Sequence, residues 1–175
     1  MGAEQLARLP NFVRRFGLAA GLRLWAATGP RTGDPAMAAR ALSVPGFGPV
    51  WLRPTRSDHA SFWQTMVQRQ YDLARHPQMR EIVRRAQRLL ATGQVPVIVD
   101  GGGNVGMALR SFAADYPFAH IVVIEPDLDN LRVARANAGE IDTPHTLVHA
   151  GLAARAGHCR VTARERGSAG LRTEY

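Results

Sequence analysis

The stretch "VPVIVDGGGNVGMALRSFAADYP", Val95 to Pro117, constrains the fold more than any other part of the chain. It begins with β-branched residues bounded by Pro96 and a glycine cluster. Such a run predicts a fully buried strand of the kind found inside parallel sheets. The cluster Gly101-Gly102-Gly103-Asn104-Val105-Gly106 predicts a sharp turn. A helix over about Val105 to Asp115 follows, closed by Tyr116-Pro117. "AHIVVIEPD" reads as a second buried strand. "DLDNLRVARANAG" reads as a second helix, with Asp127 or Asp129 near its start, arginines in its later turns and Gly139 past its end. "HTLVHAGL" is a third strand. Strand–helix–strand–helix–strand predicts an α/β fold with a parallel sheet and right-handed crossovers. The closing piece "GHCRVTARERGSAGLRTEY" reads as a weak hairpin around Gly167-Ser168.

Upstream, "TGPRTGDPAM" (28–37) reads as a linker. Apolar pieces around Leu42-Val44 and Val50-Leu52 flank Pro-Gly-Phe-Gly-Pro and predict a β-hairpin. Ser57 or Asp58 is expected to cap a helix over "HASFWQTMVQRQYDLARH", with Phe62, Met66, Val67, Gln70, Tyr71 and Ala74 on one side. A second helix, about Pro77 to Ala91, should stop at Gly93. At the N-terminus Leu6, Leu9, Phe12, Val13 and Phe16 share a helical face, and that face is expected to pack on the domain rather than touch a membrane or partner. The division expected is 1–37 amphipathic helix and linker, 38–94 hairpin and helical lead-in, 95–175 cofactor-binding domain.

At 175 residues the chain is one domain, or one domain with an N-terminal extension. A net charge of +8 invites a nucleic-acid reading. All 22 basic residues are arginine, however, and they are scattered with no run of five. That pattern looks like codon bias, and nucleic acid is not an expected partner. No run of about 18 apolar residues predicts a membrane span. The apolar part of the N-terminus is broken by Arg23, which argues against a signal peptide. A lone cysteine, Cys159, excludes an intramolecular disulfide and suggests a reducing, cytoplasmic setting.

The glycine cluster parses in two ways. From Gly101 it is G-x-G-x-x-G, the dinucleotide fingerprint; from Asp100 it is D-x-G-x-N-x-G, close to the loop that holds S-adenosyl-L-methionine. Glycines permit positive φ and close approach of a ligand, and the helix N-terminus offers free N–H groups. Asp100 distinguishes the parsings. A carboxylate beside the bend repels a pyrophosphate and matches an ammonium or sulfonium group. Asn104 can bond a ligand or cap the helix. Glu125 ends the second strand, where an acid accepts hydrogen bonds from ribose hydroxyls in either kind of site. No metal set has ligand spacing, and no nucleophile elbow occurs. Among histidines, His145 and His149 fall on one face of the third strand with Leu147, and none stands out as a base.

"VIVDGGGNVG", "IVVIEPDLDNLRVARANA" and "HTLVHAGLAARAG" resemble the FkbM family of S-adenosylmethionine-dependent methyltransferases. The lead-in "VWLRPTRSDHASFWQTMVQRQYD" is similar too, through its Leu-Arg-Pro, Ser-Asp and Tyr-Asp elements. The resemblance covers about Val50 to Gly157. Gly103 stands where the family usually has alanine, a change expected to be harmless. The resemblance implies a Rossmann-like class I methyltransferase fold. Asp100, Gly101, Gly102, Asn104 and Gly106 would surround the methionine part, Glu125 the ribose, and Pro126, Asp127 and Ala150-Gly151 the adenine. It implies O-methylation of a small-molecule or sugar hydroxyl.

The family's fourth strand, with its Lys/Ile-Asp-x-Glu-Gly segment, has no counterpart here. The fold is therefore expected to be truncated after the third strand: a fragment, a degraded copy, or a half completed by another chain. The first strand would then expose an apolar edge open to self-association. Weak cofactor binding and little turnover are expected. The alternatives are an NAD(P)-linked oxidoreductase using the same loop, and a non-enzymatic, partner-binding remnant.

Overall fold

The computed structural model describes residues 3–29, 38–158, 160–164 and 171–174. Helix α1 (Ala3–Phe16) turns at Gly17, whose φ is 78°, into α2 (Leu18–Ala27). The two helices touch at Gly21, where an added Cβ would lie 2.8 Å from the Phe12 backbone. Phe12 is buried and meets Phe62 and Trp63 with ring centroids 6.4 and 5.5 Å away. The apolar face of α1 therefore packs inward around Phe12, while Leu6 at its start stays exposed.

Strands β1 (Arg40–Val44) and β2 (Gly48–Leu52) form an antiparallel hairpin across the glycine-containing turn. Helix α3 (Arg56–Phe62) follows. Its cap is neither Ser57 nor Asp58 but Thr55, whose Oγ1 accepts the Asp58 N–H at 3.1 Å. Thr55-x-x-Asp58 is a capping pattern that places the acid inside the first turn, where its own carboxylate turns to Arg53. Nor does the helix run on to His76. It widens into a π-helical turn (Trp63–Val67) and breaks at Arg69, whose φ is 53°. Asp72 then caps a short 3₁₀ turn (Leu73–Arg75), accepting the Ala74 N–H at 3.1 Å. Tyr71, expected in a helical core, sits in the irregular segment between, and is exposed.

Helix α4 (Met79–Ala91) ends at Thr92 and Gly93, the latter at φ 75°. None of its residues is buried. Strand β3 (Val97–Gly101), α5 (Met107–Asp115), β4 (His120–Ile124), α6 (Leu128–Ala138) and β5 (His145–Val148) then form a parallel sheet of three strands in the order β3-β4-β5. Ile121 and Val123 of central β4 are buried with Leu109, Phe112 and Ala138. This is the mixed α/β architecture that the alternation implied. Strand β3 is not enclosed as its composition suggests, but has the exposed apolar edge expected of a first strand without its second neighbour. It lies at the sheet edge, and Val97 and Val99 are 60% and 59% exposed. A β-branched run is enclosed only when strands flank both its sides. Among the described residues β4 alone pairs with it. Strands β6 (Arg160–Arg164) and β7 (Leu171–Glu174) pair antiparallel; the Gly167-Ser168 turn expected between them lies outside the described residues.

Three side chains join the hairpin to the helices behind the sheet. Asn137 accepts the Trp51 N–H at 2.8 Å and donates to the Trp51 and Val105 carbonyls at 2.9 and 2.8 Å. Buried Arg110 donates to the carbonyls of Phe47, Pro49, Asn137 and Glu140. Arg53 grips Asp58 through Nε and Nη2 at 3.0 and 2.8 Å, and reaches Asn130 Oδ1 at 2.7 Å. Arg53, Asp58 and Asn130 are all buried. An ion pair this enclosed holds its geometry because both carboxylate oxygens, and Nε and Nη2 of the guanidinium, are hydrogen-bonded.

Candidate functional site

The carboxyl end of β3 opens onto a cavity of about 430 Å³. One wall is the glycine loop, Gly101 to Asn104, with Asp100 behind it. Glu125 and Pro126, at the end of β4, form the second wall, and Ala150 to Leu152 beyond β5 the third. Ser61, Gln64, Thr65 and Tyr71 from the lead-in close the fourth. Ligand crevices of open α/β sheets lie at this end of the strands.

The loop's shape is set from within. Gly102 and Gly106 take φ of 80° and 79°, and Asn104 takes 49°. Asparagine tolerates this left-handed region better than most side chains. Gly102 and Gly103 N–H groups donate to the Ile124 carbonyl at 2.8 and 3.2 Å, and Gly106 N–H donates to that of Gly103 at 2.9 Å. Asn104 N–H donates to Glu125 Oε2 at 2.8 Å. These four amides are therefore engaged with protein acceptors. Gly106 serves packing as well: a Cβ there would lie 3.2 Å from Ala134 Cα, so α5 and α6 approach closely beside the loop.

Gly103 has no room for an alanine side chain. An added Cβ would sit 2.2 Å from Val123 Cγ1 and 3.2 Å from Asp100 Oδ2. The exchange read as harmless is a fit between the loop and the central strand. Gly101 faces Leu152 Cδ1, 2.3 Å from its own notional Cβ, so this exposed leucine lies over the loop.

The acids of the site are not alike. Glu125 is buried and largely engaged by the protein: Oε2 accepts from Asn104 N–H, and Oε1 from Asp127 N–H at 2.9 Å and Asn130 Nδ2 at 3.4 Å. Asp127 does not line the cavity. Its carboxylate caps α6, accepting from Asp129 and Asn130 N–H groups, both at 2.9 Å. Asp100 Oδ2, by contrast, is buried with no hydrogen-bond partner within the protein. So is Asn104 Oδ1, whose amide Nδ2 donates to Ser61 Oγ at 3.0 Å. Burial, and then the charge of Glu125, push the Asp100 carboxyl up to about 6. Burial, and then the charge of Asp100, raise the Tyr71 phenol.

The structure thus brings Asp100, Gly101, Gly102, Asn104, Glu125 and Pro126 to one cavity, and leaves Gly106 and Asp127 outside as supports. Comparison with family models, curated proteins and solved structures returned no match. Ser61, Gln64 and Thr65 were not picked out from the sequence, because a π-helical turn carries no composition signal and Ser61 meets Asn104 from 43 residues away. Among the described residues no histidine lines the cavity. His145 Nδ1 lies 2.8 Å from the Thr143 carbonyl and His149 Nε2 3.0 Å from that of Pro126. No metal-holding cluster of His, Cys, Asp or Glu occurs among them, and no helix among them is long and apolar enough to cross a membrane.

Proposed function

We propose that this chain carries the cofactor half of an S-adenosyl-L-methionine-dependent methyltransferase of the Rossmann-like class I type. One observation carries the reading. Two buried acceptor oxygens, Asp100 Oδ2 and Asn104 Oδ1, belong to residues lining one cavity and have no donor inside the protein. Buried acceptors without donors are costly, and a ligand that supplies donors or positive charge relieves that cost. The ammonium and sulfonium of S-adenosylmethionine do so. A diphosphate does not, and it would need loop amides of which four already serve the protein. This weighs against the NAD(P)-linked reading.

In the proposed complex Asp100 and Asn104 face the amino-acid end of the cofactor. Glu125 faces the ribose with the lone pairs that Asn104, Asp127 and Asn130 leave over. Pro126, Ala150 and Gly151 flank the adenine. The cofactor supplies an activated methyl group. The acceptor, a small-molecule or sugar hydroxyl, rests on the family resemblance alone. Tyr71, which lines the same cavity, is electrostatically coupled to Asp100.

Calorimetric titration with S-adenosylhomocysteine tests the reading. Saturable binding that NADH at millimolar concentration fails to displace is expected. Displacement by NADH, or binding unaltered in Asp100→Ala, would overturn it.

A further inference from the structure

A strap of chain crosses the mouth of the cavity. Residues 149–158, between β5 and β6, form neither helix nor strand. Strand β5 lies on one side of β4 and β3 on the other. Leu152 comes after β5, yet its side chain meets the end of β3: its Cδ1 would lie 2.3 Å from a Cβ on Gly101. Neighbouring strands stand roughly 4.8 Å apart, so the strap spans about two strand spacings to make this contact. Glu125 and Pro126, at the end of β4, lie between the two sides, and all of these residues line the one cavity.

The seat under Leu152 is made by a missing side chain. Gly102 and Gly106 take positive φ, and Gly101 does not. The backbone therefore does not demand glycine at 101. What its bare Cα provides is room for the leucine.

The contact is also easily broken. Leu152 is 64% exposed, so swinging it into water gives up little apolar burial. Gly151 precedes it, and Gly157, whose notional Cβ meets nothing within 4 Å, closes the strap. Both positions turn with little hindrance. Between Leu152 and His158 only Arg155 is larger than alanine, so few side chains pin the strap to the body.

The seated leucine covers loop surface that a ligand would use. Resting on the cofactor reading above, a molecule that reaches Asp100 and Glu125 together must pass between Gly101 and Leu152. We infer that Leu152 gates the cavity: seated on Gly101 it excludes the ligand, and binding waits on the strap swinging outward.

Two measurements on the whole chain test this. Surface plasmon resonance with S-adenosylhomocysteine should show Leu152→Ala associating roughly tenfold faster with dissociation unchanged, as removal of a closed form about 90% populated would. Brief trypsin digestion, read by mass spectrometry after Arg155, follows the strap with no ligand added. Leu152→Ala and Gly101→Ala should each be cut there several times faster than the parent, circular dichroism confirming that both fold. Equal cleavage in all three overturns the inference. So does ligand association no faster in Leu152→Ala, or a change confined to dissociation, which would make the leucine a lid over bound ligand. Faster cleavage with S-adenosylhomocysteine bound by neither parent nor Leu152→Ala would instead sink the cofactor reading, and the releasable seat on Gly101 would stand.

Discussion

Val123 Cγ1 occupies the space that a side chain on Gly103 would need, 2.2 Å from the notional Cβ. Both positions are buried, so neither can yield into solvent. Gly103→Ala should therefore destabilise the protein by ~1–3 kcal/mol, the usual cost of overpacking. Urea unfolding of Gly103→Ala, Val123→Ala and the double variant checks this. The double variant should lose less than the sum of the singles, and additivity would refute the contact.

Asp100 predicts a trade between stability and binding. Burial, and then the charge of Glu125, push its carboxyl up from the ordinary 3.8 to about 6 in the folded protein. The folded state then holds more protons than the unfolded state between those values. Stability should fall as pH rises from about 4 to 6 and stay lowered above that. Asp100→Asn removes the buried charge and should stabilise the unliganded protein at pH 7.5 by ~1–3 kcal/mol, flattening the pH dependence of thermal unfolding. The same variant should bind S-adenosylhomocysteine more weakly. In the parent, affinity should decline below pH 6, because the protonated carboxyl no longer attracts a cation. A parent whose affinity is flat from pH 5 to 8 would contradict this.

Asn104 separates shape from recognition. Its φ of 49° suits glycine, so Asn104→Gly should fold with stability within about 1 kcal/mol of the parent. It forfeits the acceptor Oδ1 and the bond to Ser61, and should lose ligand affinity by roughly tenfold, a loss of about 1.4 kcal/mol. Asn104→Ala adds left-handed strain to the same loss and should also lower the melting temperature. Thermal scans beside calorimetry distinguish the two.

Arg53 supports the site from a distance. Arg53→Met strands the Asp58 carboxylate in a buried setting, which costs about 3–5 kcal/mol. Arg53→Lys should recover little, because an ammonium cannot span both carboxylate oxygens and Asn130 together. Urea midpoints of both variants, and of Arg53→Met/Asp58→Leu, give the comparison. The double variant should be more stable than Arg53→Met alone.

The sheet and its order of elements were legible because period and punctuation agree: β-branched runs end at Asp100 and Glu125, and Gly139 follows α6. Local patterning also placed Asp100, Asn104 and Glu125 together, since each stands at a strand end or in the turn after one. It failed where one local conformation competes with another, and where neighbours decide exposure. Thr55, not Ser57 or Asp58, caps α3, because the Thr55 hydroxyl accepts the Asp58 N–H while the Asp58 carboxylate is taken up by Arg53. Nothing between Val67 and Tyr71 announces a break, because neither glycine nor proline makes it; the chain unwinds at Arg69 and Asp72 stabilises the alternative. Exposure of β3 reflects neighbours, and a strand's composition records only what it would need.

Every basic side chain counted in the net charge is an arginine, and among the described residues Arg53 and Arg110 are interior struts. The guanidinium of Arg110 fans out to four carbonyls from two separate segments, and Arg53 bridges the first turn of α3 to α6. A survey replacing the described arginines by lysine would accordingly single out this pair, whose flat, forked heads stand in for missing backbone pairing where hairpin meets helix.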